Sequence, residues 1–190
     1  MRRAFTSMPF QQINSEVYVA NGNTITLGSG EISLLKQRLA NAPRGRVRLC
    51  AHPGNDDLLH EMIIALSRQS YIRPHRHPNK SESFHIIQGA VDIIIFDDVG
   101  GITDRLSLGD LSTGLPMFYR LNAPLFHTLI IRSDVLVFHE TTNGPLRAGD
   151  AEFAAWAPAA EDQTAARQYM TELERSVQMM RKQPAPVILP

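Results

Sequence analysis

His75, His77, Glu82 and His85 fall within eleven positions, in the stretch His-Arg-His-Pro-Asn-Lys-Ser-Glu-Ser-Phe-His. Imidazole nitrogens and carboxylate oxygens are ligands that divalent transition-metal ions take from proteins. In a β-strand, side chains two residues apart point the same way, so His75 and His77 project together. Pro78 and Asn79 favour a chain reversal that returns Glu82 over the pair. His85 stands three residues beyond Glu82, on the opposite face of a regular strand, and is excluded from the group. It points to the other surface or to a subunit contact.

A fourth ligand has to come from a distant segment. His127 opens the apolar run His-Thr-Leu-Ile-Ile-Arg-Ser after a turn, and a strand there can pass beside the first. His139 stands inside a strand with no turn before it, where a histidine is more often a hydrogen-bonded structural residue. The expected centre is one divalent ion (Mn, Fe, Ni, Co or Zn) on His75, His77, Glu82 and His127. One or two coordination positions stay open to water, a substrate hydroxyl or dioxygen. With Cys50 as the single cysteine, no thiolate set exists for a structural zinc or iron–sulfur site. At the end of a strand, Cys50 reads as a small buried apolar group.

Further candidates surround this centre. Arg73 and Tyr71 share the parity of His75. Arg73 could hold an anionic substrate group, and Tyr71 could donate a hydrogen bond or a proton. Glu140 has the opposite parity to His139, so one of the two points inward, and an inward Glu140 would be a general base. Lys80, in the loop between the ligands, can sit at the mouth of the site. Arg44, Arg46 and Arg48 alternate along one strand face. Arg48 and His52 could bind phosphate or carboxylate at the entrance, although a solvated strand face explains them equally well. Sixteen arginines against three lysines fit two-pronged anion recognition or simply GC-rich coding.

The elements that must carry these residues are mainly strands. From about 70 to 140, short apolar runs such as Ala-Val-Asp-Ile-Ile-Ile-Phe and Asp-Val-Leu-Val-Phe-His-Glu alternate with turn residues at the spacing of a sandwich or barrel. Glu16–Ala20 and Thr24–Gly28 read as edge strands or an arm. Residues 29–43 read as a helix capped by Ser29 and stopped by Pro43. Residues 56–67 fit a helix or a strand, and periodicity leaves the choice open. Residues 162–182 form a helix with an Asp162 cap and an apolar stripe through Ala166, Tyr169, Met170, Leu173, Val177 and Met180. The Pro-rich tail 184–190 cannot be helical. Three parts of one structural domain follow: an N-terminal arm and helix (1–50), a barrel (51–160), and a C-terminal helix and tail (161–190).

The totals exclude several function classes. A chain of 190 residues, 43% hydrophobic and 20% charged, can bury a core. Zero formal net charge argues against a dedicated nucleic-acid binder. No run approaches the roughly 20 apolar residues of a membrane span. The first twelve residues lack the apolar core of a secretion signal, so a cytoplasmic protein is expected.

His75-x-His77, four residues, Glu82, six residues and Gly89 resembles the first cupin motif in every ligand and spacing. The second cupin motif is kept only at His127: Pro124 stands where a glycine is usual and Ile131 where an asparagine is usual. Together with Arg44–His52, Phe96–Gly100, His139–Leu146 and Phe153–Asp162, the segment from about 40 to 160 resembles the WbuC family of cupin-fold metalloproteins. That resemblance implies an all-β fold, a cupin double-stranded β-helix (jelly-roll barrel), here with an N-terminal helix and a C-terminal helix added. It also implies metal binding and an association with surface-polysaccharide metabolism, without naming a reaction. Two classes of function stay open. One is a metal-dependent isomerase, epimerase or oxygenase acting on a small anionic sugar derivative. The other is a non-catalytic sugar-binding or regulatory protein. Either would act on a small-molecule ligand as a homodimer.

Overall fold

Runs of β-branched and aromatic residues, broken by Gly, Pro, Asn and Asp, make this chain a succession of strands. The computed structural model describes residues 10–180. Strands β1 (Phe10–Gln12) and β2 (Val17–Ala20) lead into helix α1 (Ser29–Leu39). Then come β3 (Arg46–Cys50), β4 (Leu59–Ser67), β5 (His75–Arg76), β6 (Glu82–Gln88), β7 (Ala90–Phe96) and β8 (Ile102–Gly109). A short 3-10 turn (Leu111–Thr113) precedes β9 (Phe118–Leu121), β10 (Phe126–Ile131), β11 (Val135–Asn143) and β12 (Glu152–Phe153), and helix α2 (Gln163–Met180) ends the described region.

The strands form two sheets rather than one closed ring: a seven-stranded sheet in the order β1-β2-β3-β4-β11-β6-β9 and a five-stranded sheet β12-β5-β10-β7-β8. Strand β2 runs parallel to β3, and α1 supplies the crossover that a parallel pair needs.

Burial sorts the molecule into layers. Leu35 and Leu39 of α1 pack on Val47, Leu49, Ile63 and Ala65, the outer face of the larger sheet. Between the sheets lie Phe84, Ile86, Val91, Ile93, Leu129, Leu136 and Phe138. Leu173 and Val177 of α2 cover Ile94, Phe96, Phe126 and Ile130 on the outer face of the smaller sheet. Strand β7 therefore has both faces covered, which is why it reads as an unbroken apolar run rather than an alternation.

Several expectations need correction. Thr24–Gly28 is not a strand. Helix α1 already includes Ser29, and its cap position is Gly28, whose N–H donates to Glu31 Oε2 at 2.8 Å. This is one half of a capping box, not a serine cap. The helix ends at Leu39, four residues ahead of Pro43. The ambiguous stretch 56–67 is strand β4 in its second half, because it must pair with β3 and β11. Asp162 does cap α2, its Oδ1 accepting from the Ala165 N–H at 3.0 Å. The apolar stripe of α2 lies on the smaller sheet. Strands β1 to β3 continue the sheet that holds β4, with β1 at its edge, so Glu16–Ala20 takes the edge-strand reading rather than that of an arm. Residues 1–9 and the tail 184–190 lie outside the described residues.

Candidate metal centre

Strands β5 and β10 run side by side, and His75 is paired directly with His127 across them. Directly opposed residues share a face, here the inner face that Leu129 and Ile131 continue into the core. His77 follows two positions after His75 and falls on the same side. The ring centroids of His75 lie 4.5 Å from those of His127 and 5.0 Å from those of His77. One ligand nitrogen from each of the three lies within 4.8 Å of the others. Glu82 starts β6 in the opposite sheet and reaches across. Its Oε1 stands 3.0 Å from His127 Nε2 and its Oε2 3.5 Å from His77 Nε2.

Backbone carbonyls hold all three rings. His75 Nδ1 lies 2.9 Å from Arg73 O, His77 Nδ1 2.8 Å from Asp150 O, and His127 Nδ1 3.0 Å from Leu125 O. A carbonyl only accepts, so each Nδ1 carries the proton and donates it, and each Nε2 keeps its lone pair. His127 Nε2 is buried and, despite its nearness to Glu82, meets hydrogen-bond geometry with nothing among the described residues. An orphaned buried ring nitrogen is costly. Three neutral imidazoles, one carboxylate and this orphan together fit a divalent cation.

The charges are mutually dependent. Burial opposes ionisation of Glu82, but the nearby His127 and His77 rings pull its carboxyl well below the usual range. Burial would lower His127 and His77, yet the Glu82 carboxylate overrides it and both are raised. His75 is pushed down to about 4 by burial and then by His127, which together outweigh the opposing pull of Glu82. Tyr119 Oη points to Glu82 Oε1 from 3.5 Å.

A cavity of about 510 Å³ opens from this centre. Glu140 lines it and makes no hydrogen bond or ion pair among the described residues. Its carboxyl is raised to about 7, first by burial and then by the nearby Glu82. Arg48 and Arg73 also line the cavity. Arg73 Nη2 donates to Ala154 O at 2.8 Å, while its buried Nε has no partner. Tyr71 reaches the cavity wall, but its hydroxyl donates to Pro158 O at 2.9 Å and is pushed up to about 12 by burial.

Two expected substrate contacts lie elsewhere. Lys80 Nζ is consumed by Pro145 O at 2.7 Å and Asp150 Oδ2 at 2.8 Å, so it braces a loop instead of opening to solvent at the mouth. His52 stacks flat on His60, with centroids 4.1 Å apart, and its Nδ1 meets the Glu61 backbone. His85 is exposed. His139 Nε2 stands 3.7 Å from Glu61 Oε1, away from the three histidines.

Three participants had no signal in the sequence. Glu16 lines the cavity and is 6% exposed, Asp150 supplies the carbonyl for His77, and Tyr119 approaches Glu82. Each arrives from a segment whose local pattern is an ordinary loop or strand.

A sequence family described as a domain of unknown function (DUF6016) matches residues 29–108, a span that holds His75, His77 and Glu82 but stops short of His127. No curated protein matches the chain. Among solved structures, protein SO0799 from Shewanella oneidensis is similar over 70% of this chain and 87% of its own, at 13% identity and a TM-score of 0.50. Bacillus subtilis oxalate decarboxylase, studied for its Mn(II) centres, is similar over 51% of this chain and 24% of its own, at 16% identity and a TM-score of 0.41. An oxalate oxidase bound to glycolate is similar over 59% and 56%, at 12% identity and a TM-score of 0.45. This chain thus spans a quarter of the decarboxylase and little over half of the oxidase. At these identities the similarity concerns fold and not chemistry, and of the three only the Shewanella structure reaches a TM-score of 0.50. The fold is an all-β cupin jelly roll with one helix added on each side.

Proposed function

We propose that this protein is a metal-dependent enzyme acting on a small, polar, anionic molecule of the sugar or sugar-phosphate class, by isomerisation or epimerisation. The observation that carries the reading is the convergence of three histidine rings, each with its Nδ1 tied to a carbonyl, one of which, His127, has a buried Nε2 left unsatisfied among the described residues. His75, His77, His127 and Glu82 would hold one divalent ion of the Mn, Fe, Ni, Co or Zn group. Bound there, such an ion supplies Lewis-acid polarisation of a carbonyl or hydroxyl.

The chain's own groups do the rest. Tyr119 orients Glu82 by its hydroxyl. Glu140, unpartnered in the cavity wall, takes a proton from the substrate on one carboxyl oxygen and returns it. Tyr71 keeps its proton and acts only by position. Arg73 offers its unsatisfied Nε to an anionic group. Phe84, Phe138 and Leu129 in the cavity wall limit water around the reacting atoms.

The resemblance of residues 40–160 to WbuC cupins supports the sugar class and a place in surface-polysaccharide metabolism. The same reading has the protein act as a cytoplasmic homodimer. Among the described residues no helix is long and apolar enough to cross a membrane. Leu111, Leu115 and Phe118 stay exposed beside edge strand β9, an apolar margin that suits a second copy.

The test is turnover of a panel of sugar phosphates by metal-loaded protein, beside elemental analysis of protein purified without added metal. Turnover that disappears in His77→Ala supports the enzyme. Tight ligand binding with no turnover across the panel supports a sugar sensor instead.

A further inference from the structure

The cavity has a second charged end. Arg44, Arg46 and Arg48 line it from β3 and the turn before it, together with Glu16. These arginines are not equivalent. The Arg44 N–H and Nε donate to Glu16 at 3.0 Å and 2.7 Å, and its Nη2 also meets Glu16 Oε2. Glu16 is nearly buried, with a side chain 8% exposed, so this pair is closed on itself and close to neutral. The side chains of Arg46 and of the exposed Arg48, by contrast, make no hydrogen bond and no ion pair among the described residues. Arg46 is half-buried, and its charge is disfavoured by burial and by the neighbouring Arg44. Glu140 feels the field of Arg48 but does not reach it.

Strand order sets the distance from Glu82. Strand β3 is separated from β6, which carries Glu82, by β4 and β11. Three strand spacings of ~4.8 Å put it ~14 Å across the sheet before the arginine side chains reach back. The wall between is apolar, with Ile64 paired beside Arg48 and Phe138 beside Ile64. Two free guanidiniums at the end of a partly apolar chamber match the geometry of phosphate or carboxylate oxygens.

We infer that Arg46 and Arg48 form an anion-binding subsite at the end of the cavity remote from the histidines, and that the substrate places there a phosphate or carboxylate separated by a few atoms from its reacting oxygen. This inference rests on reading the cavity as the substrate chamber, but not on the metal. Arg44 is not part of the clamp, because Glu16 occupies it.

Calorimetric titration of the chelated full chain with inorganic phosphate, and separately with succinate, tests this without metal or turnover. At least one of the two anions binds saturably, and the tighter of the two identifies the distal group. Arg46→Ala/Arg48→Ala weakens binding by about tenfold or more, the scale of one charge-assisted hydrogen bond. Arg46→Lys/Arg48→Lys, which keeps the charges and guards against misfolding, falls between. Glu16→Gln, which removes the carboxylate and frees Arg44, tightens binding. His77→Ala retains anion binding, so a protein that takes no metal but still binds phosphate would refute the metal reading alone. The subsite is overturned if neither anion binds the wild type, if the double alanine variant binds as well as wild type, or if His77→Ala abolishes binding.

Discussion

The three histidines differ less in what they offer a cation than in what holds each ring still. His77 depends on the most indirect support: its Nδ1–H goes to Asp150 O, and Asp150 is fixed by Lys80 through its carboxylate. Outer contacts of this kind are worth 10–100-fold in metal affinity. Lys80→Ala should therefore weaken metal binding by about tenfold in a chelator competition while leaving the fold intact. Unchanged affinity would mean that the Arg147 N–H to Asp150 contact holds the loop unaided. Proton competition has a definite sign here. Metal requires neutral rings, and Glu82 raises His77 and His127 above the ordinary 6.5. Affinity should begin to fall on acidification already above pH 6.5, and a profile flat down to pH 5 would contradict the ligand set. At this scale the His-x-His spacing and the turn before Glu82 were legible because they are local. The partners of the rings were not, since a backbone carbonyl has no sequence signature.

Strand pairing and close approach govern the elements. Gly89 turns the chain from β6 into β7 with φ +92°, and a Cβ there would stand 2.3 Å from Ser133 Oγ and 2.6 Å from Val135 O. Gly89→Ala meets both a backbone conformation unfavourable to side chains and a fixed carbonyl. It should lower the unfolding midpoint clearly, and an unchanged midpoint in a thermal melt would show that the turn relaxes. Leu35 is 0% exposed between α1 and the outer face of β3 and β4. Leu35→Ala should cost about 2–5 kcal/mol in denaturant unfolding while metal content stays at wild type, because it acts on the far side of the sheet from the site. The glycine was visible in the sequence as the close of a motif, and β3 and the long α2 by period. Strand β4 was not, because Met62–Leu66 is apolar on both faces and its identity is decided by the neighbours that cover it. The missing Ser29 cap has a similar cause: the Glu31 side chain satisfies the end of the helix one residue earlier.

In the whole molecule, two buried charge centres stand well apart in role. Asp92, 1% exposed, gathers Arg105, Arg132 and Ser107 at 2.5–2.9 Å. Burial opposes its ionisation, but these partners lower its carboxyl below the ordinary 3.8. A lowered carboxyl stabilises the fold above the unfolded-state value, and that contribution is lost as pH falls through the folded value. Asp92→Asn should therefore reduce stability at neutral pH and narrow its gap to wild type in acid, as read by melts from pH 7 to pH 2. A constant gap would exclude the linkage. A sandwich or barrel body was legible in the spacing of short apolar runs, and the two flanking helices in their own signals, but not which sheet face each helix covers. That β1 and β2 join the larger sheet through the parallel β2–β3 pair was not, because such pairing is long-range and leaves no local period.

The central claim is that His75, His77 and His127, with Glu82, bind one divalent cation, and the direct measurement is calorimetric titration of chelated protein with Mn, Fe, Co, Ni and Zn in turn. The account predicts saturation at one ion per chain for at least one of these metals. It also predicts loss of that binding in His127→Ala and in His77→Ala, and a melting temperature that rises with free metal, by about 2.7 kcal/mol of stabilisation at a hundred times Kd. Wild-type protein that binds none of the five, or histidine variants that bind as tightly as wild type, would contradict it.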